Sequence, residues 1–149
     1  MRIKKLEIEN INSLKGKWAI DFEDENYQNS GLFAITGPTG AGKSTILDGI
    51  ALALYGQTPR LGIQSATSNE VMNKESGECS ANVEFEANRK FYRATWSQRR
   101  ARGKVDGNLQ GSEQRLEEFD PKAETWTPIA QQVKEKAKLI REVTGLSYE

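Results

Sequence analysis

Apolar Ile3, Leu6 and Ile8 are spaced among charged neighbours from Ile3 to Glu9, the pattern of a half-buried strand. Asn10 to Gly16 is rich in turn formers, and Trp18-Ala19-Ile20-Asp21-Phe22 reads as a second short strand. An acidic, polar loop runs from Glu23 to Ser30. The pattern then changes. Leu32-Phe33-Ala34-Ile35-Thr36 is apolar and bounded by Gly31 and Gly37, as expected of a strand buried on both faces. From Lys43 to Tyr55 the spacing lengthens to three and four, with Ile46, Leu47, Ile50, Ala51 and Leu54 as the stripe of a helix and Gly56 as its stop.

Thr58 to Gly77 is polar and without period. Ala81–Ala87 and Phe91–Gln98 alternate like paired antiparallel strands turning at Asn88-Arg89. On a strand from Phe91, residues 92, 94 and 96 share one face, so one aromatic set faces the core. Asp106-Gly107-Asn108 is a further turn, and an edge strand is expected within Leu109–Phe119. Thr127-Pro128 and Gly145 frame a predicted helix over 128–144, with Val133, Ala137, Ile140 and Thr144 as its core-facing stripe. The fold class is α/β, with a mixed sheet, a helix after the central glycine-rich loop and an antiparallel hairpin region.

That loop carries the chemistry. Gly37-Pro38-Thr39-Gly40-Ala41-Gly42-Lys43-Ser44 matches G-x-x-x-x-G-K-[ST], a pattern expected by chance in about one of 200 chains of this length at average residue usage. Small residues let successive backbone N–H groups point into one concavity, with Gly40 and Gly42 taking dihedrals that a side chain resists. A helix starting near Lys43 adds its positive end. Lys43 then reaches the β/γ-phosphates, the Ser44 hydroxyl ligates Mg²⁺, and Thr45 serves the α-phosphate. The candidate nucleotide site is therefore Gly37 to Thr45, with ATP or GTP as ligand. The acidic residue that hydrolysis requires is not visible. No apolar run after the loop ends in Asp or Glu, Val83-Glu84-Phe85-Glu86 alternates, and Trp18-Ala19-Ile20-Asp21 lies upstream as an ordinary edge strand.

Composition narrows the field further. The chain has 149 residues, about one domain, and 21 Lys+Arg balance 21 Asp+Glu. There is no histidine and one cysteine, Cys79, so imidazole chemistry, an internal disulfide and a Cys-rich zinc site are excluded within it. The longest apolar run, Ile50–Tyr55, is far short of the ~20 residues that span a bilayer, and no secretory leader pattern opens the chain. A cytoplasmic location is the expectation. The zero net charge averages over one uneven segment. Arg89, Lys90, Arg93, Arg99, Arg100, Arg102 and Lys104 fall within 16 residues that contain no acidic one. Of these, Arg99, Arg100, Arg102 and Lys104 lie in a turn-like segment and are the candidate DNA contacts.

The segments Asn10-Ile11-Asn12-Ser13-Leu14-Lys15-Gly16, Gly31 to Asp48, Leu52-Ala53-Leu54-Tyr55-Gly56 and Thr58-Pro59-Arg60-Leu61 together resemble the SbcC family of SMC-like ATPases. So do Ala94 to Arg102, Asp106 to Gln110 and Thr144-Gly145-Leu146-Ser147-Tyr148; the likeness fades over 63–78 and 111–130. The resemblance implies a split ATPase head with ATP and Mg²⁺, in which an N-terminal lobe holds the phosphate loop. A coiled coil with a zinc hook and a C-terminal lobe with the signature motif and the Mg²⁺-binding carboxylate complete it. Residues 1–149 are then the N-terminal lobe, cut before the next ATP-contacting glutamine, with no catalytic residues of its own. Implied partners are an SbcD-like nuclease, double-stranded DNA ends, a second ATPase head and the C-terminal lobe, with no membrane. Many members carry an arginine near the nucleotide after the first strand, where this chain has Asn12-Ser13-Leu14-Lys15; whether Lys15 replaces it stays open. Two other classes remain. One is a self-contained small phosphotransferase, opposed by the 36 residues before the loop and the lack of an acceptor-activating Asp. The other is a non-enzymatic binding module with a vestigial loop.

Overall fold

The opening alternation is a ten-residue strand, β1 (Arg2–Ile11), in a computed structural model that describes residues 1–27 and 34–148. Asn12 takes a left-handed φ of 53°, which Asn tolerates better than most side chains, and turns the chain straight into β2 (Leu14–Asp21). The second strand thus starts four residues before the expected one, since only Asn12 and Ser13 lie outside the strands.

Helix α1 (Lys43–Tyr55) has the bounds that the spacing predicts, and Gly56 closes it in a left-handed conformation with its N–H on Leu52 O at 2.8 Å. Its buried face differs from the expected stripe. Thr45, Asp48, Gly49, Leu52, Ala53 and Leu54 are buried, so of the expected stripe only Leu54 is fully inside; Ile46, Ile50 and Ala51 are half-buried and Leu47 is exposed. A helix with apolar residues on most sides gives no sharp phase, and Gly49 decides it: a Cβ there would lie 2.6 Å from Ile8 Cγ2, so only glycine lets α1 sit this close to β1.

Two short strands, β3 (Gln57–Thr58) and β4 (Gly62–Ile63), pair across Pro59-Arg60-Leu61. β5 (Glu78–Ala87) and β6 (Lys90–Arg99) form the expected hairpin, with Asn88 and Arg89 at φ 51° and 63°, the mirror-image turn that matches strand twist. Cys79, Ala81, Val83 and Phe85 face Gln98, Trp96, Ala94 and Tyr92 across the inner face, while Phe91 lies on the other face under Lys4 Nζ.

From Glu113 onward the structure departs from the sequence reading. β7 (Glu113–Asp120) is not an edge, because β8 (Thr125–Ala130) pairs beyond it; the sheet order is β2-β1-β5-β6-β7-β8, with every pairing antiparallel among the described residues. Thr127-Pro128 therefore lies in a strand and not at a helix start. Proline, lacking an N–H, is tolerated on an edge strand, and its cue for a helix N-terminus is not unique to helices. Helix α2 (Val133–Thr144) begins after an extended Gln132. Its inner face is Lys136 and Ile140, flanked by half-buried Leu139 and Val143, whereas Val133 is 51% exposed and Ala137 is exposed. The predicted stripe is rotated because a lysine holds a core position. The expected strand at 32–36 falls partly on Leu32 and Phe33, outside the described residues. Ala34–Thr36 are exposed and form no strand, and no described strand pairs with them.

Both helices lie on one face of the sheet, α1 over β1, β5 and β6, and α2 over β7 and β8. Leu6, Val83, Ala94, Trp96, Leu116, Leu52 and Ile140 fill the space between. This arrangement fixes the amino end of α1 near the β1–β2 turn.

Candidate nucleotide-binding site

Gly40 and Gly42 adopt φ of 84° and 91°, conformations in which a side chain is strained, as the loop reading expects. Gly42 is the residue before α1 and carries no side-chain cap, so the first backbone N–H groups of the helix are not occupied by a capping side chain. A Cβ on Gly42 would stand 3.6 Å from Leu14, so the start of β2 backs the loop. Lys43 Nζ donates to the carbonyls of Gly37 and of Pro38, the latter at 2.7 Å, and Ala41 N–H donates to Pro38 O at 3.2 Å. The lysine ammonium is thereby folded over its own loop.

Thr39, Gly40, Gly42, Lys43, Ser44 and Thr45 line an open cavity of about 600 Å³, the size class of small-molecule sites. Gly37, Pro38 and Ala41 belong to the same loop but do not line the cavity. Ser44 lies at the cavity, whereas Thr45 is buried and its Oγ1 accepts from Asn12 Nδ2 at 3.2 Å.

The cavity has a second wall that the sequence reading did not find. Asn12 Nδ2 also donates to Asp48 Oδ2 at 3.0 Å, and Arg60 Nη2 donates to the same oxygen at 2.7 Å. Asn12 is itself pinned, its N–H on Val71 O at 2.7 Å and its carbonyl accepting from Asn73 Nδ2 at 2.9 Å. Asp48 was hidden by its place in an apolar helix pattern, and Arg60 by lying in an aperiodic stretch. The usable signal was Asp48 itself, a carboxylate inside an apolar helical run, which demands a buried partner. Lys15 is not that partner. It is exposed, pairs with Glu75 at 2.9 Å and does not line the cavity.

The basic stretch separates into two ends. Lys90 pairs with Glu118 at 2.9 Å; Arg93 pairs with Glu117 at 2.8 Å and lies over the Trp126 ring, so acidic neighbours on β5 and β7 neutralise this end. Arg99 closes β6 about 20 Å beyond Arg93 at ordinary strand rise. Arg99, Arg102 and Lys104 are exposed, whereas Arg100 is half-buried and donates to Gly107 O at 3.3 Å. Three of the four candidate DNA contacts are thus exposed, and Arg100 is turned into its own loop.

A hairpin sheet backing a glycine-rich loop, with an uncapped helix amino end and a cavity lined by its Lys and Ser, defines a P-loop nucleotide-binding domain of the α/β class. The family model described as "AAA domain" matches residues 5–144, and the chain belongs to that family. It is 44% identical to the SbcC subunit of the nuclease SbcCD of Pseudomonas aeruginosa over 80% of this chain and 11% of that protein. Proteins of the same name from Rhodobacter capsulatus and Deinococcus radiodurans are 38% and 35% identical over 100% and 85% of this chain. The chain spans between 11% and 13% of the length of these relatives. Among the described residues no helix is long and apolar enough to cross a membrane.

Proposed function

We propose that the chain binds Mg-ATP at Gly37 to Thr45 and serves as the nucleotide-binding lobe of an ATPase in a DNA-end-processing nuclease complex. The observation that carries this is the loop itself: two left-handed glycines, an uncapped helix start, and Lys43 and Ser44 on one cavity. Residues present there fit the ligand. Lys43 exchanges its loop carbonyls for the phosphate oxygens, the α1 N–H groups receive the same anion, and Ser44 Oγ is a hard oxygen donor for magnesium. Ser44 Oγ would hold Mg²⁺ together with the nucleotide, and the ion would supply neutralisation of phosphate charge there.

ATP held here is covered in trans by a second head, and closure of the two heads gates a partner nuclease of the SbcD kind acting on double-stranded DNA ends. The sequence likeness to the SbcC proteins supports this assembly. Among the described residues no group of three or more Asp, Glu, Cys or His side chains is placed to hold a metal ion, and Ser44 is the loop's candidate magnesium ligand. The chain alone accordingly turns over ATP negligibly, as measured by phosphate release at saturating Mg-ATP. Turnover that Lys43→Ala abolishes would contradict the incomplete-site reading and favour a self-contained phosphotransferase.

A further inference from the structure

We infer that Arg60 is a second phosphate-binding cation of this site, presented by the β3–β4 hairpin and anchored by Asp48. The inference rests on the nucleotide reading and adds a residue to it. Arg60 occupies the middle of the three-residue loop Pro59-Arg60-Leu61, closed by the Thr58↔Gly62 pair. That loop is stiff. Pro59 fixes one φ, Thr58 is fully buried, and Thr58 Oγ1 accepts from Leu61 N–H at 3.0 Å. The guanidinium is thus delivered to the cavity from a rigid support, sharing its lining with Lys43 and Ser44.

A purely structural Arg60, present only to neutralise Asp48, is the competing account. Two observations weigh against it. Asp48 Oδ2 already receives Asn12 Nδ2, and Arg60 spends one nitrogen, Nη2, on that oxygen. A guanidinium has five N–H donors, and Arg60 makes no other hydrogen bond among the described residues while its side chain is 58% exposed. Asp48, at 3% exposure, holds the fork in place and leaves its remaining donors free for an anion in the cavity. A held guanidinium loses little freedom on binding a phosphate, which is where arginine exceeds lysine. The ligand class is the triphosphate chain of a nucleotide, the anion that Lys43 on the same cavity already requires.

Calorimetric titration of the full chain with Mg-ATP over a range of salt concentrations tests this, using wild type, Arg60→Gln, Arg60→Lys and Lys43→Ala. Gln keeps an amide donor for Asp48, so the buried carboxylate is not stranded, and melting without nucleotide verifies folding. Expected for Arg60→Gln is a roughly tenfold or greater loss of affinity, the size of one charge-assisted hydrogen bond. The slope of log affinity against log salt falls with it, since one phosphate-facing cation is gone. Arg60→Lys keeps the salt slope and recovers part of the affinity, and it serves in place of the glutamine variant should that one not fold. Wild-type binding left unchanged in affinity and slope by Arg60→Gln overturns this inference alone. No binding by wild type overturns the nucleotide reading and this inference with it.

Discussion

Lys136 occupies a position where side-chain chemistry and location conflict. It is 1% exposed, on the inner face of α2, and its Nζ donates to Ala53 O at 2.5 Å in the last turn of α1, to Thr95 O at 3.2 Å on β6 and to Gln114 Oε1 at 3.4 Å on β7. Three acceptors from three elements satisfy an ammonium, and its stem fills core volume. Burial nonetheless pushes its pKa down to about 7. The native chain then lacks a proton that the unfolded chain keeps between about pH 7 and the ordinary lysine value near 10.5. Stability attributable to Lys136 therefore rises with pH across that window and is flat below it, where both states are protonated. Urea unfolding at pH 7.5, 8.5 and 9.5 should show this rise in wild type and its absence in Lys136→Met. Parallel pH profiles would show that Lys136 keeps its charge. No periodicity argument places a lysine at a core position, which is why the stripe on this helix is legible in period and wrong in phase.

At the scale of elements, what the sequence carried was local. Helix α1 was legible to the residue because Gly56 and the glycine-rich loop bound it, and the β5–β6 hairpin because Asn88-Arg89 separates two alternating runs. What failed needed neighbours. Thr127-Pro128 fits a helix start or an edge strand equally, and only pairing with β7 decides it. The burial of Asp48 follows from Arg60 and Asn12, 12 and 36 residues away in sequence. The basic stretch, one run in sequence, becomes a neutralised end and an exposed turn once β6 is extended. Arg99, Arg102 and Lys104 on that turn are the proposed surface for DNA phosphates, and reversing all three to Glu should weaken duplex DNA binding and reduce its salt slope by about three. Arg100→Gln, with the native side chain on Gly107 O, should leave that slope unchanged. Anisotropy titrations at several salt concentrations check both, and equal slopes for wild type and the triple variant would remove DNA from this turn.

At the scale of the whole molecule, the described residues form a six-stranded antiparallel sheet with α1 and α2 on a single face, and the amino end of α1, the β1–β2 turn and the separate β3–β4 hairpin converge on one cavity. Neutral net charge conceals this division of labour. Cations at Lys43 and Arg60 line the cavity, and a separate basic turn closes the far end of β6. The proposed function stands on nucleotide occupying that cavity, and thermal unfolding of the 149-residue chain with and without Mg-ATP tests it most directly. At a hundredfold excess over the dissociation constant, wild type should gain about 2.7 kcal/mol, a rise of several degrees, and Lys43→Ala should gain nothing. An unfolding transition of wild type that saturating Mg-ATP does not move would contradict the proposal at its centre.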